Sequence, residues 1–426
     1  MRVERQNVKI LNINISKLFG YKEINIDIPP DDNLVVFYGD NGSGKTTVLD
    51  LLNHIFSPVP KGGHRTNIGK IIFQSISITL SNKIEIVLKR DEPKAGTYNL
   101  IIKNSNEEIV NWHWFSSEHP EYSDENIEYK KYCDLMNKLN FSIFYLPANR
   151  RVDKSDEDKD ETIIIQDSEG IRHRILRQEN KASLNRELRQ FQQWLRREMI
   201  KRTNVGYRNI NDLYNVIINE VIDKKITDDV SSKENIINRI AEMESRNNGF
   251  KKYGLSENFL KDDIIKTLRN VGDNEFAQIL TVLNPYLKSI NLRLDSLEEL
   301  QLLLSKFEEN INCLFNEKSI FVSVEEGIKI KSLNNSELAL QNLSSGEKQL
   351  LLIFCNVITS WSNSRIIIID EPEISLNVKW QRLFISSILD IIDKRNTQLF
   401  IATHSIEMLS KYTNNIHKLG KSNEQS

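Results

Sequence analysis

Nine residues, Gly39-Asp-Asn-Gly-Ser-Gly-Lys-Thr-Thr47, constrain this 426-residue chain more than any other stretch. They follow an apolar, β-branched run, Leu34-Val-Val-Phe-Tyr38, which reads as a buried strand. From Lys45 to Phe56 the pattern becomes helical, with Val48, Leu49, Leu52, Ile55 and Phe56 on one side before Pro58 stops it. A strand that ends in glycines and runs straight into a helix lets backbone N–H groups converge on phosphate at the helix's positive end. In such a loop Gly39, Gly42 and Gly44 allow the turn, with Asn41, Ser43 and Thr47 completing the cradle. Lys45 reaches the β- and γ-phosphates, and Thr46 places its hydroxyl on Mg²⁺. A glycine-rich turn capping an ordinary helix would explain the loop alone, but not the three elements that accompany it.

The first is Arg365-Ile-Ile-Ile-Ile-Asp370-Glu371-Pro372, whose four isoleucines predict a strand buried on both faces of a parallel sheet. Asp370 then emerges at the carboxyl end, where open α/β sheets bind ligands, to hold Mg²⁺, and Glu371 polarises the attacking water. The second is Gln398-Leu-Phe-Ile-Ala-Thr-His404-Ser405, another short apolar strand with a polar end, placing His404 33 residues beyond Glu371. The third is Leu343-Ser-Ser-Gly-Glu-Lys-Gln349, in which Ser344 and Glu347 fit a capping box for a helix running to Trp361. A helix N-terminus suited to capping is also suited to anions, so the bland and the functional readings of Ser344, Gly346 and Glu347 are compatible.

These four elements, in this order, resemble the ABC-type ATPase head shared by the SMC, RecF and overcoming-lysogenization-defect families. The resemblance covers roughly residues 1–100 and 320–410. It implies ATP and Mg²⁺ as ligands, His404 as the switch histidine on the γ-phosphate, and Glu371, His404 and Lys45 as the catalytic set. It also implies a head-to-head dimer in which Ser344 and Gly346 act on ATP bound to a partner chain. Ser375-Leu376-Asn377 sits where the group carries its D-loop, with Asn377 departing from the aspartate common there. The adenine contact is left open between Phe19 and Tyr21, and the Q-loop between Gln74 and the Leu146-Pro-Ala-Asn149-Arg150-Arg151 turn.

Composition describes a globular chain with room for about two or three domains: 39% hydrophobic residues, 27% charged, net charge −2 and mean hydropathy −0.43. No run of 18 apolar residues exists, and Met1-Arg-Val-Glu-Arg5 lacks a signal-peptide core, so a cytoplasmic location and no membrane contact are expected. Cys133, Cys313 and Cys355 form no CxxC pair, which argues against a disulfide framework, a zinc site and the zinc-hook repair ATPases. The charge is uneven. Asp153–Glu169 holds eight acids and two lysines, whereas Ile171–Ile210 holds eleven Lys/Arg against three acids. In the latter Leu184, Leu188, Phe191, Leu195 and Met199 recur at helical spacing, which predicts an amphipathic helix whose arginines are solvated, meet nucleic-acid phosphate or dock an acidic partner.

The expected fold class is therefore α/β: an ABC-type head with a mixed sheet and flanking helices, split by a mainly helical insertion. Its parts are an N-terminal head segment (1–150), an acidic loop and helical lid or short hairpin (151–318), and a C-terminal head segment (319–426). Strands are predicted at 8–15, 24–28, 71–80, 84–89 and 98–102, and the paired Trp112 and Trp114, close to Phe115, are expected to pack in a core or interface. Helical breaks are expected at Asn204–Gly206, Asn247–Gly249, Tyr253-Gly254 and Pro285, with the clearest helix over Ser296–Phe315.

The phrase Asp370-Glu-Pro-Glu-Ile-Ser-Leu-Asn-Val-Lys-Trp-Gln381, with Leu343-Ser-Ser-Gly-Glu-Lys-Gln349, further resembles the PtuA-like and AriA-like ATPases of anti-phage systems. That resemblance implies a sensor or regulatory subunit, a homodimer or higher oligomer, holding a separate nuclease or toxin. The chain ends 22 residues after His404, so no Toprim domain is expected to follow, and the seven histidines form no HNH-like cluster. The alternatives are a RecF/SMC-like repair or chromosome-maintenance ATPase that clamps DNA, supported by the basic 171–210 segment, and a transporter ATPase, disfavoured by the long insertion.

Overall fold

The computed structural model describes residues 8–57, 63–105, 107–115, 127–139, 143–148, 162–166, 172–176, 184–203, 218, 232–256, 261–360, 366–393 and 397–420. The Asn149-Arg150-Arg151 turn, the break at Asn204–Gly206 and most of the acidic stretch lie outside them. The chain forms two compact units, residues 1–183 with 360–426, and residues 184–359. The sequence boundaries group the signature helix with the C-terminal head segment instead, and that grouping belongs to the functional proposal below.

The first unit is an α/β structure with two main sheets and a separate hairpin. In chain order it begins with strands β1 (Ile10–Leu18), β2 (Lys22–Asp27) and β3 (Leu34–Tyr38), then helices α1 (Lys45–Phe56) and α2 (His64–Lys70). Strands β4 (Phe73–Leu80), β5 (Ile84–Lys94), β6 (Tyr98–Asn104) and β7 (Glu107–Trp114) follow, then helix α3 (Ile127–Leu139), β8 (Ile143–Leu146) and a hairpin of β9 (Thr162–Gln166) and β10 (Arg172–Leu176). Six strands in the order β2-β1-β4-β5-β6-β7 make an antiparallel sheet. Its strands alternate: Ile13, Ile15, Ile76, Ile78, Ile86, Leu88, Leu100 and Ile102 are buried, while Asn14, Glu23, Lys89 and Lys103 point away from that core. Trp112 and Trp114, 2% and 3% exposed, belong to the same core on β7, and Trp114 stacks on Tyr98 with ring centroids 5.2 Å apart. The core reading of the tryptophans holds; the strand that carries them was not predicted, because Glu107–Asn111 is polar at both ends.

The second sheet is parallel. After the other unit the chain returns through β14 (Ile366–Asp370), α9 (Val378–Ile392), β15 (Gln398–Thr403), α10 (Ile406–Leu409) and β16 (Ile416–Lys418), and the sheet order is β16-β3-β15-β14-β8. Every residue of β14 and β15 is buried, as the isoleucine run requires for strands covered on both faces. Helix α1 joins the two sheets in one core, packing on β8, β14 and β15. Its C-terminal carbonyls are taken up by a buried arginine. Arg65, 1% exposed, donates to the carbonyls of His54 and Ser57, and its guanidinium lies 4.5 Å over the Tyr132 ring. A second arginine, Arg90, does the same for α2, donating to the carbonyls of Ile68 and Gly69 at 3.3 and 3.2 Å while stacking on Phe73.

The second unit is helical around a small sheet. It comprises α4 (Leu184–Thr203), α5 (Lys233–Lys251), α6 (Lys261–Asn270) and α7 (Asp273–Leu314), then β11 (Lys318–Ser323), β12 (Gly327–Ser332), β13 (Glu337–Leu338) and α8 (Ser345–Ser360). Two expected breaks do not occur. Helix α5 continues through Asn247–Gly249 because Asn247 and Phe250 are buried on its packed face, and it ends at Tyr253-Gly254, where Gly254 is left-handed. Helix α7 runs 42 residues straight through Pro285. The lost hydrogen bond at a helix-interior proline is outweighed here by burial of Leu280, Leu283 and Leu287 on either side of it. The predicted face of α4 is buried at Leu184, Phe191 and Leu195, with Phe191 stacked 5.3 Å from Phe307 of α7.

Candidate nucleotide site

Three strand ends meet at one edge of the parallel sheet. In register, Phe37 of β3 sits beside Ala402 of β15, and Ala402 beside Asp370 of β14. The loops that follow these strands therefore emerge together, at the edge where parallel α/β sheets receive ligands. They carry Gly39–Thr47, Glu371 and His404.

The loop after β3 is shaped for close approach. Gly42 and Gly44 have φ of +79° and +97°, the region that favours glycine, and a side chain at Gly39 would collide with the Leu419 carbonyl. Lys45 is 4% exposed and its Nζ donates to the carbonyls of Gly39 and Asp40 at 2.7 and 3.1 Å. The buried Ser43 hydroxyl has no hydrogen-bond partner among the described residues. Thr46 Oγ1 donates to Asp370 Oδ2 at 2.8 Å, so the two oxygens assigned to a divalent cation are already side by side. Residues 41–47, Phe19 and Glu371 line a cleft of about 210 Å³. A backbone cradle, a buried lysine, an unpartnered hydroxyl and two adjacent hard oxygens fit a Mg²⁺–nucleotide.

Glu371 is held in a left-handed conformation, φ +45°, with its N–H donating to Ala402 O at 2.8 Å. That conformation costs a non-glycine residue about 1–2 kcal/mol. Glu371 is one of the residues that line the cleft. His404 follows β15 with its side chain half exposed, and is not among the cleft-lining residues. Its Nδ1 lies 3.0 Å from Glu373 Oε1, a residue to which the sequence reading gave no role although the Glu-Pro-Glu spacing contains it.

Of the two aromatics offered for adenine, Phe19 lines the cleft and Tyr21, 76% exposed, does not. Gln74 lies on β4 and is likewise outside the lining residues. Lys22 was also missed. Its Nζ donates to the Ser43 carbonyl, and burial followed by the nearby Lys45 charge lowers its pKa. No sequence pattern marks Lys22, since it reaches the loop from β2 through the tertiary fold. Asn377 caps α9, accepting from Trp380 N–H at 2.9 Å.

The signature residues are built within the second unit. Ser344 N–H donates to Glu347 Oε2 at 2.7 Å and Glu347 N–H to Ser344 Oγ at 3.3 Å, the reciprocal capping box at the start of α8. Lys318 of β11 binds the same Glu347 oxygen at 2.8 Å and the Asn342 carbonyl at 3.0 Å. Gly346 is buried and Ser344 exposed. Burial opposes ionisation of Glu347, and the Lys318 and Ser344 hydrogen bonds override it, leaving its pKa below the usual value.

A strand–loop–helix with this lysine, threonine and strand-end aspartate defines a P-loop ATPase of the α/β class. The chain belongs to the AAA ATPase domain family, whose model matches residues 9–409. Protein ea59 of Escherichia phage lambda is 30% identical over 113 residues, a match spanning 26% of this chain and 21% of that one. Two solved Smc head domains are loosely alike, each with a TM-score of 0.42. One, from Pyrococcus furiosus, has an extended coiled coil and is bound to the C-terminal domain of ScpA, with 12% identity over 96% of this chain and 93% of that one. The other, from Pyrococcus yayanosii, carries a coiled coil and joint, with 13% identity over 96% and 95%.

Proposed function

We propose that the chain binds and hydrolyses ATP as an ABC-type head that closes as a nucleotide-sandwiched dimer. It would serve as the sensor or regulatory ATPase of an anti-phage complex, controlling a separate nuclease or toxin. The observation that carries the chemistry is the convergence of Lys45, Thr46 and Glu371 on one cleft, with buried Asp370 bonded to Thr46 behind it. In this reading residues 39–47 cradle the phosphates and Lys45 exchanges its loop carbonyls for phosphate oxygens. Thr46 and Asp370 hold Mg²⁺, which when bound offsets the charge on the β- and γ-phosphates. Glu371 orients and deprotonates the attacking water, and His404 meets the γ-phosphate. Ser344 and Gly346 present the N-terminus of α8 to the nucleotide of a second copy.

The defence role rests on the Asp370–Gln381 phrase. A DNA-clamping role rests on the basic residues of α4, and two of those arginines are engaged internally. Arg196 donates to the Val324 and Glu325 carbonyls at 3.2 and 3.0 Å, and Arg202 to Glu299 at 2.9 Å. Among the described residues no helix is long and apolar enough to cross a membrane. The test is a pull-down of tagged Glu371→Gln protein, expressed with its native neighbouring genes in Mg-ATP. A stoichiometric nuclease or toxin subunit supports the regulatory role; nuclease-sensitive DNA as the sole companion replaces it with the clamp.

A further inference from the structure

We propose that Glu373 is a positioning residue for His404: its buried carboxylate fixes the Nδ1–H of the imidazole and leaves Nε2 as the ring nitrogen available to bound nucleotide. The inference rests on the nucleotide-site reading above and assigns a role to a residue outside it. The turn after β14 is bent at two left-handed residues, Glu371 at φ +45° and Ser375 at +68°, and between them Glu373 is brought to the end of β15. One oxygen, Oε1, accepts two hydrogen bonds there, from Thr403 Oγ1 at 2.7 Å and His404 N–H at 2.8 Å, and lies 3.0 Å from His404 Nδ1. An ionised carboxylate oxygen can only accept, so its approach to Nδ1 favours the tautomer with the ring proton on Nδ1.

The burial makes this more than a surface contact. Glu373 is 7% exposed, and its second oxygen, Oε2, has no hydrogen-bond partner among the described residues. Burying a carboxylate is costly unless donors compensate. Here the compensating donors all come from residues 403 and 404, so the carboxylate and the histidine backbone fix each other. A second link runs beside it. Ser405 N–H donates to Thr403 Oγ1 at 3.0 Å, Ser405 Oγ to Gln381 Oε1 at 2.7 Å, and Gln381 Nε2 to the Leu376 carbonyl at 2.8 Å. The loops after β14 and β15 are thus tied at two points.

The test uses the full chain as wild type, Glu373→Ala, Glu373→Gln, His404→Ala and the Glu373→Ala/His404→Ala double variant. Steady-state hydrolysis of Mg-ATP is measured on each, with ¹⁵N shifts of labelled histidines at alkaline pH for the ring tautomer. Partners that orient a functional histidine are worth roughly 10–100-fold, so Glu373→Ala lowers kcat by about that factor with KM for ATP changed by less than about twofold. In the His404→Ala background the same change costs less than about twofold further, because its target is gone. The His404 ring reads as Nδ1–H in the wild type and as a mixture in Glu373→Ala. Glu373→Gln, whose amide oxygen still accepts, keeps the tautomer and most of the rate. An equal loss in the His404→Ala background, or an unchanged tautomer in Glu373→Ala, overturns the proposal. If His404→Ala turns over like the wild type, it is the histidine's part in hydrolysis that fails, and the tautomer measurement still decides what Glu373 does. Should Glu373→Ala not fold, Glu373→Asp withdraws the carboxylate by one methylene and carries both readouts.

Discussion

Glu371 spends its conformational strain where the proposed chemistry needs a carboxylate. Its φ of +45° is unfavourable for any residue with a Cβ, so the side chain and not the backbone accounts for it. Glu371→Gly is expected to raise stability by about 1 kcal/mol in denaturant unfolding while removing ATP hydrolysis. A Glu371→Gly protein that hydrolyses at the wild-type rate would remove Glu371 from the mechanism. A second residue-scale consequence lies at the far end of α1, where His54 Nδ1 and His64 Nδ1 are 2.9 Å apart. Burial first, then Arg65 and Lys70, lowers His54 to about 4; burial, then His54 and Arg65, lowers His64 to about 3. Both rings are therefore neutral in the folded protein at pH values where the unfolded chain, at 6.5, takes up protons. Stability should be complete above pH 6.5 and fall as pH drops toward 4, by up to about 3 kcal/mol for each ring. Urea midpoints at pH 7 and pH 5 check this, and His64→Asn should reduce the difference by roughly half.

At the scale of the element, the start of α8 depends on a strand 29 residues upstream in sequence. Ser344 and Glu347 make the capping box that the sequence predicts, but Lys318 is what fixes the Glu347 carboxylate. Because the folded pKa of Glu347 lies below its ordinary 4.5, this contribution is full above pH 4.5 and is lost as pH falls through the folded value. Lys318→Met should cost about 1 kcal/mol at pH 7, discounted for the partial exposure of the pair, and flatten that acid limb. The loss should also lower turnover if Ser344 is presented to nucleotide; an unchanged kcat with lowered stability would make Lys318 structural alone. Capping was legible because it is local. Lys318 was not, because β11 reaches the helix through tertiary packing.

For the whole molecule, the phosphate loop and the signature residues lie in different compact units, and the proposed reaction places them on different chains. Lys45→Ala and Ser344→Arg proteins should each be inactive, yet mixing them should restore activity. Random pairing makes half of the dimers mixed, each with one intact composite site, so recovery should approach roughly a quarter of the wild-type rate. No recovery in a mixture shown to exchange subunits would place both residues on one chain. The same scale governs the DNA alternative. Salt-dependent duplex binding that survives loss of Arg186 and Arg189 but not of ATP would locate the DNA elsewhere than α4.

Sequence alone determined the elements whose information is local. The strand–glycine–helix order fixed β3, the loop and α1; four isoleucines fixed β14; the Ser-Ser-Gly-Glu run fixed the cap of α8. It also placed Lys45, Thr46, Asp370 and Glu371 correctly at element ends, because a loop that follows a buried parallel strand emerges at one edge of the sheet. The tertiary structure decided the rest. It chose Phe19 over Tyr21 for the cleft, brought Lys22 to the Ser43 carbonyl, set Lys318 on Glu347 and seated Glu373 beneath His404. It also carried α7 through Pro285, since packing on both flanks outweighs a single missing hydrogen bond. Such choices join residues distant in sequence by burial and hydrogen bonding, which no local pattern encodes.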